Sequence, residues 1–229
     1  MYIIVLQLLT AAIDRDFQSK TAEIARATGG RCRSPPPPPK NFERMQGKLF
    51  GDHQDEPKPK PAANIDLSRN ALAFSSTADF VKGYEAMTKR FPPLRVKNGY
   101  RKENDAVKTS YGYRALLANM LYKPDPNPDG SPVTWGQLFD QERTQLEWEK
   151  IRVHFLSLGG MYDKTFFEPA VRTVRTVFPD KPVSFIVETQ FMMQQYLDMR
   201  KESHLFYKII RAETFHSLQQ DFRKHAILR

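Results

Sequence analysis

The chain has 229 residues, of which 40% are hydrophobic and 12% aromatic, and its formal net charge is +9. This composition is sufficient for the core of one domain with extensions. The single cysteine, Cys32, excludes an internal disulfide framework and a cysteine-based zinc site, and it favours an intracellular location, in the cytoplasm or an organelle. The positive charge favours anionic partners, such as nucleotides, nucleic acids or anionic surfaces.

The N-terminal segment from Met1 to Ile13 is largely apolar. It is shorter than the roughly 20 residues that span a bilayer, and no basic residues precede it as they do in a secretory signal. We therefore predict the buried beginning of a helix rather than a targeting segment, and no transmembrane helix in the sequence. An amphipathic pattern from Leu6 to Ala27, ended by Gly29 and Gly30, completes this helix.

A proline run from Pro35 to Pro39 follows. It predicts a stiff, extended connector, because proline is excluded from helix interiors and inner strands. A docking site for an aromatic-lined groove is the alternative interpretation. A short helix is predicted from Asn41 to Phe50, with Arg44 and Lys48 four positions apart on one face.

Two strands and a helix are predicted between residues 64 and 98. The segment from Asn64 to Ser75 has the pattern of a strand in which Asp66 and Ser68 share one face. Thr77 is predicted to cap the helix that follows, and two prolines end that helix. The segment from Leu94 to Asn98 is the second strand.

The second half of the sequence continues the alternation. A strand is predicted from Gly112 to Tyr122 and a helix from Trp135 to Lys150, whereas the region from Ile151 to Phe178 is compatible with a helix or with short strands. A last strand from Val183 to Gln190 leads into a long helix that starts near Met192. The predicted fold class is α/β or α+β, with a mixed sheet of about four or five strands flanked by helices.

The last strand carries the most informative polar pair. Its side chains alternate between two faces, so Glu188 and Gln190 lie side by side on one face of an otherwise apolar strand. A buried carboxylate and amide need partners, such as a metal ion, a ligand hydroxyl or a base. With His204 and several cations on the following helix, the segment is compatible with a phosphate or nucleotide site. An ordinary core strand with one satisfied glutamate is the alternative.

Other predicted elements carry residues of the same chemical type. Asp66 and Glu188 on neighbouring strands could serve a magnesium ion, which takes one or two carboxylates together with substrate phosphates. Arg95 and Lys97 could hold the remaining phosphate oxygens. Tyr113, next to a glycine, offers a flat ring for stacking a base.

From residue 66 onward the chain contains, in this order, the segments DLSR, RVKN, GYRALLANML, VETQ and ESHLFYK. This series resembles the synthetase domain of RelA/SpoT-like proteins, the alarmone synthetases, which have a nucleotidyltransferase-like fold. The resemblance implies an N-terminal helix and connector over residues 1–39 and a RelA/SpoT-like domain over residues 40–211. An insertion would occupy about residues 123–181, and residues 212–229 would form a C-terminal helical tail.

The activity that this resemblance implies is the magnesium-dependent transfer of pyrophosphate from ATP to the ribose 3′-hydroxyl of GDP or GTP. Asp66 and Glu188 would be the metal-binding and catalytic carboxylates, and Tyr113 would stack the guanine. The other residues that would bind substrate are Gly112, Arg114, Gln190, His204, Lys97, Lys108, Arg44 and Lys48. The cofactor would be Mg²⁺, and the partners would be a guanine nucleotide and ATP.

The sequence also departs from the family pattern. On the ATP side it offers only Lys40, Arg44 and Lys48, Arg69 follows Asp66 by three positions rather than about five, and Leu117 replaces a histidine of the family. The second hypothesis is therefore a non-catalytic RelA/SpoT-like module that binds nucleotide, RNA or a protein partner.

Overall fold

The computed structural model describes residues 1–33, 35–50, 55, 57, 59–101, 114–157 and 163–199. The helices are α1 (Tyr2–Ala27), α2 (Phe42–Phe50), α3 (Thr77–Arg90), α4 (Trp135–Phe139), α5 (Glu142–Ser157) and α6 (Glu168–Val177), with a 3-10 turn at Lys60–Ala63 and a π-helical turn at Asp163–Phe167. The strands are β1 (Gly30–Cys32), β2 (Arg69–Phe74), β3 (Pro93–Asn98), β4 (Leu116–Tyr122) and β5 (Phe185–Met193). One further helical turn covers residues 194–199.

The five strands form one sheet in the order β1-β2-β5-β4-β3. β2 and β5 are parallel, and the other neighbouring strands are antiparallel. β5 therefore lies in the centre of the sheet, although it is the last of the five described strands along the chain. The predicted mixed sheet of four or five strands flanked by helices is confirmed.

The core lies on one side of this sheet, which we call the helical side. Leu72 and Phe74 of β2, Met120 of β4 and Val187 and Phe191 of β5 are buried there against the helices. On the other side, the described residues form a small apolar cluster of Ala73, Ala115 and Met192 at one end, with Leu197 packed against it. The rest of that side carries polar side chains together with the apolar Ala71, Leu117, Leu121 and Ile186, and we call it the polar face.

α1 is the central helix of the core. Leu8, Ile13 and Phe17 are completely buried, and the indole N–H of Trp148 donates a hydrogen bond of 2.9 Å to the carbonyl oxygen of Leu8. The helix ends before Gly29, whose φ of 74° lies in the left-handed region that glycine adopts without strain. The predicted buried helix at the N-terminus is confirmed, and its apolar stripe explains why it lies beneath the sheet.

Helix α3 packs closely on β2. A Cβ atom at Gly83 would lie 2.3 Å from Cζ of the buried Phe74 ring, so this position requires a residue without a side chain. Ser76, and not Thr77 as predicted, caps the helix, because its extended backbone lets its hydroxyl accept a hydrogen bond from the N–H of Asp79.

Several element boundaries differ from the predictions. β2 begins at Arg69 rather than Asn64, since the 3-10 turn at Lys60–Ala63 and a bend leave Asp66 outside the ladder. β4 begins at Leu116 rather than at residue 112, and Met192 belongs to β5 rather than to the helix after it. The predicted helix from Trp135 to Lys150 is divided by a turn into α4 and α5.

The region from residue 151 to residue 178 is helical where the structure describes it. α5 continues to Ser157, and α6 follows the π-helical turn. Both helices pack on α1, as buried Trp148, Phe155 and Val174 share its hydrophobic cluster. The division of the chain at residues 39 and 211 stays a prediction. Within the described helices, none combines the length and the apolar character needed to cross a bilayer.

Candidate functional site

The alternation of β5 confirms that Glu188 and Gln190 share one face. Gln190 Nε2 donates a hydrogen bond of 2.8 Å to Glu188 Oε1, and both residues are partly exposed. Val187, Thr189 and Phe191 point to the helical side and are buried. The pair therefore lies on the polar face, at the centre of the sheet.

Two arginines lie in register with Glu188. The strand pairing aligns Arg69 of β2 directly with Glu188, and Glu188 with Asn119 of β4. Asn119 is in turn aligned with Arg95 of the edge strand β3. Because directly paired residues project from the same side of a sheet, these four side chains form one row across the polar face.

A second row lies two residues further along β5. Ala71, Gln190, Leu117 and Lys97 are aligned across β2, β5, β4 and β3. Neighbouring strands are about 4.8 Å apart, so Lys97 lies roughly 10 Å from Gln190. Lys97 and Arg95 are exposed and face the same side as the Glu188–Gln190 pair.

The other edge of the polar face carries two arginines that the sequence analysis did not select. Arg31 of β1 is aligned with Ala73, and the N–H of Arg33 donates a hydrogen bond to the carbonyl oxygen of Ala71. Both arginines are exposed. The signal that could have found them is the alternation of Arg31, Cys32 and Arg33, in which the two cations share one face.

Asn119 adds a hydrogen-bond donor beside Glu188. Its Nδ2 atom is buried and has no hydrogen-bond partner within the described part of the chain. Residues directly opposite each other in adjacent strands have Cβ atoms about 5 Å apart, so this amide lies next to the carboxylate. A buried donor without a partner is costly, and an anionic oxygen of a ligand would satisfy it.

Asp66 lies in a different environment. Its carboxylate forms an ion pair with Lys40, whose side chain is only 1% exposed, and a second ion pair of 3.3 Å with Lys48 on α2. Burial raises the pKa of Asp66, but the two lysines outweigh that effect and hold its pKa below the usual range. Burial also lowers the pKa of Lys40 to about 8, against the opposing influence of Asp66.

Two other predicted binding residues lie away from Glu188. Arg44 is exposed on α2, where its backbone N–H donates a hydrogen bond to the side chain of Asn41. Arg114 precedes β4, and its Nη1 donates to the carbonyl oxygen of Tyr100 over 3.3 Å. From the strand rise, Arg114 is roughly 16 Å along the sheet from Glu188. Predicted residues outside the described ranges are Lys108, Gly112, Tyr113 and His204.

The residues around Glu188 fit a magnesium ion only in combination with a ligand. No group of three or more His, Cys, Asp or Glu side chains that could hold a metal occurs among the residues that the structure describes. Magnesium needs only one or two carboxylates when phosphates complete its shell, and Glu188 fits that role. Asp66 would first have to leave Lys40 and Lys48.

Comparisons with known proteins identify the fold. No protein-family model matches the chain, and no curated protein matches it. Among solved structures, small alarmone synthetase 1 from Bacillus subtilis matches 94% of this chain and 84% of its own, with 12% identity and a TM-score of 0.50. The same synthetase bound to its product pppGpp matches 94% of this chain and 87% of its own, with 10% identity and a TM-score of 0.47. A Streptococcus mutans protein matches 95% of this chain and 82% of its own, with 10% identity and a TM-score of 0.44.

The first of these matches extends over almost the whole chain, and identity this low shows shared architecture rather than shared chemistry. The mixed five-stranded sheet with its helices is the arrangement common to both proteins. The resemblance to the synthetase domain is thus confirmed at the level of the fold: this chain has a divergent RelA/SpoT-like fold, that of a small alarmone synthetase.

Proposed function

We propose that the polar face binds two nucleotides and transfers pyrophosphate from ATP to the ribose 3′-hydroxyl of GDP or GTP. The observation that carries this proposal is the position of Glu188 between Arg33 and Arg69 on one side and Arg95 and Lys97 on the other. Arg31 lies on the same face, aligned through Ala73 with Met192, four residues beyond Glu188. A fold shared with a small alarmone synthetase supports it.

The chemistry requires little more than positioning and charge. In pyrophosphate transfer, the 3′-oxygen of the acceptor attacks the β-phosphorus of ATP, the bond between the α- and β-phosphates breaks, and AMP leaves. In this proposal Glu188 accepts the proton of the 3′-hydroxyl, and the 2.8 Å hydrogen bond from Gln190 orients its carboxylate. A bound Mg²⁺ would neutralise phosphate charge, with Glu188 as its protein ligand.

In this proposal, the cations on each edge bind the phosphates of a different nucleotide. The side chains of β1 and β3 are each two strands, or roughly 10 Å, from β5, which leaves room for one nucleotide on either side of Glu188. In this proposal Arg31 and Arg33 hold the donor phosphates. They replace Arg44, which is exposed on α2, and Lys48, which is paired with Asp66.

The test is incubation of the purified protein with labelled ATP, with GDP or GTP, and with Mg²⁺, followed by separation of the nucleotides. We expect a 3′-pyrophosphorylated product and AMP in equal amounts, and loss of both with Glu188→Gln. The matched control is Glu85→Gln, since Glu85 is exposed on α3 away from the polar face. Absence of product from the unmodified chain would exclude the reaction, and equal turnover by both variants would exclude the role of Glu188.

The second candidate function is a non-catalytic module that binds nucleotide or RNA. It is favoured by the same polar face, where five cations surround one carboxylate, and by the engagement of Asp66 with two lysines. Binding of RNA without turnover, with an affinity that falls steeply as salt rises, would support this function, because phosphate contacts release counterions.

A further inference from the structure

A cavity of about 470 Å³ lies on the helical side of the sheet. It is enclosed by α1, by the proline run and by α5, and its volume is within the range of small-molecule sites. Its lining residues belong to elements on the side of the sheet opposite Glu188. It is therefore separate from the site proposed above.

The apolar wall of the cavity comes from three parts of the chain. On α1, Ala11 and Ala12 leave space because neither side chain extends beyond Cβ, and Ile151 of α5 also contributes to the lining. The third part of the wall is the proline run, through Pro36 and Pro39.

The burial of the proline run has a period of three. Pro37 and Lys40 are buried, Pro36 and Pro39 line the cavity, and Pro38 is exposed. Three residues per turn is the period of the polyproline II helix. The run is thus a rigid wall against its own chain, which refines the prediction of an extended connector.

Two cations lie towards one end of the cavity. Arg15 of α1 and Arg143 of α5 line it, and within the described part of the chain neither forms an ion pair with a carboxylate. Arg143 Nε instead donates a hydrogen bond of 2.6 Å to Gln141. The lining lysines are already paired, Lys40 with Asp66 and Lys150 with Glu147.

An acceptor lies eight residues away on α1. The Oε1 atom of Gln7 is buried and has no hydrogen-bond partner among the described residues. Eight residues of helix span about 12 Å, so Gln7 and Arg15 are near opposite ends of the cavity. A ligand that reaches both needs a donor at one end and a negative charge at the other.

Two acidic side chains line the cavity: Glu147, which is paired with Lys150, and Asp14, which is fixed by its neighbours. Asp14 Oδ1 accepts hydrogen bonds from Ser68 Oγ over 2.6 Å and from Gln18 Nε2 over 3.1 Å. Burial raises the pKa of Asp14, while the hydrogen bonds from Ser68 and Gln18 act in the opposite direction. The polar wall is therefore already ordered without a ligand, a condition that favours binding.

We propose that this cavity binds an elongated small molecule with an apolar middle, an anionic group at Arg15 and Arg143, and an N–H or O–H that donates to Gln7. The binding is independent of the pyrophosphate transfer proposed above. A nucleotide assay that fails would leave it intact, and the reverse also holds.

The probe for the test is anilinonaphthalene sulfonate, which has a sulfonate, fused rings and one N–H. Its fluorescence titration should show one saturable site on the folded chain. The double variant Arg15→Gln/Arg143→Gln should bind it about 100-fold more weakly, because it loses two charge-assisted hydrogen bonds that each contribute roughly tenfold. Uncharged phenylnaphthylamine should bind both proteins equally. Arg26→Gln, an exposed arginine on the same helix, is the matched control.

A second variant tests the location by filling the cavity. Ala11→Phe should abolish the saturable site while the circular dichroism spectrum stays unchanged. If this variant does not fold, the arginine variants decide alone. Saturable binding that Ala11→Phe leaves intact, or equal weakening by Arg26→Gln and the double variant, would overturn the proposal.

Discussion

The carboxylates of Asp66 and Glu188 have different surroundings in this fold. Asp66, before β2, is paired with Lys40 and Lys48 and is mostly covered. Glu188, on β5, is partly exposed on the polar face, and the hydrogen-bond partner of its side chain is the amide of Gln190. We therefore expect Asp66, which has two lysines in direct contact, to stabilise the fold, and Glu188 to be the carboxylate that meets a ligand.

The substitution with the largest expected effect is that of Glu188. Glu188→Gln should lower the rate of pyrophosphate transfer by roughly 100-fold or more, because it removes the proton acceptor. The free energy of unfolding in urea should change by less than about 0.5 kcal/mol, since a partly exposed carboxylate becomes an amide of the same shape. A large loss of stability together with a small loss of rate would reverse the assignment of the two carboxylates.

Asp66→Asn should act on stability first. It leaves Lys40, whose side chain is 1% exposed, without its counter-charge, and we expect a loss of about 2 kcal/mol in the free energy of unfolding. Urea unfolding followed by circular dichroism measures it. Asp180→Asn is the control, because Asp180 is exposed and should change stability by less than about 0.5 kcal/mol.

The rate of nucleotide turnover by Asp66→Asn tests the prediction that Asp66 is a metal ligand. If Asp66→Asn abolishes the Mg²⁺ requirement or the turnover while the variant remains folded, Asp66 is a metal ligand and exchanges its lysines for the ion. If turnover decreases only in proportion to the folded fraction of the variant, Asp66 contributes to stability and is not a metal ligand.

The cationic edge on β1 gives a smaller effect. Arg31→Gln/Arg33→Gln should weaken ATP binding about tenfold, because two exposed phosphate contacts are lost. Arg44→Gln should leave the affinity unchanged, as Arg44 lies on α2, which packs on α1, and not on a strand of the polar face. Equilibrium dialysis with labelled ATP measures the affinity of each variant. If Arg44→Gln weakens ATP binding more than the double variant does, the donor phosphates bind at α2 instead.

The smallest effect is the pH dependence of the Asp66 ion pairs. The lysines hold the pKa of Asp66 below its unfolded value of 3.8, so their stabilisation is present above pH 3.8 and is lost as the pH falls through the lower pKa of the folded state. The difference in unfolding free energy between the unmodified chain and Asp66→Asn should therefore shrink below about pH 4. A difference that grows on acidification would contradict the assignment.

The predicted fold class and the Glu188–Gln190 pair followed from local periodicity. β5 alternates strictly, so each residue's face is set by its position along the strand, and α1 shows its buried stripe within its own sequence. The prediction that β2 begins at Asn64 was wrong, because local periodicity does not include contacts with residues earlier in the chain. Asp66 alternates like a strand residue, but contacts with Lys40 and Lys48, 26 and 18 positions earlier, hold it outside the sheet.

The sequence by itself determined that a carboxylate and an amide share one face of a central strand, because side chains alternate in any strand. Only the tertiary structure decided which cations face them. The alternation of Arg31, Cys32 and Arg33 places the two arginines on one face of β1 but does not say which side of the sheet that face joins. Arg31 reaches the polar face through pairing with β2, more than 40 positions later. Lys97 is aligned with Gln190 through two ladders whose register no single strand encodes. The availability of Glu188 and the engagement of Asp66 are likewise properties of the assembled sheet, since both depend on partners distant in the chain.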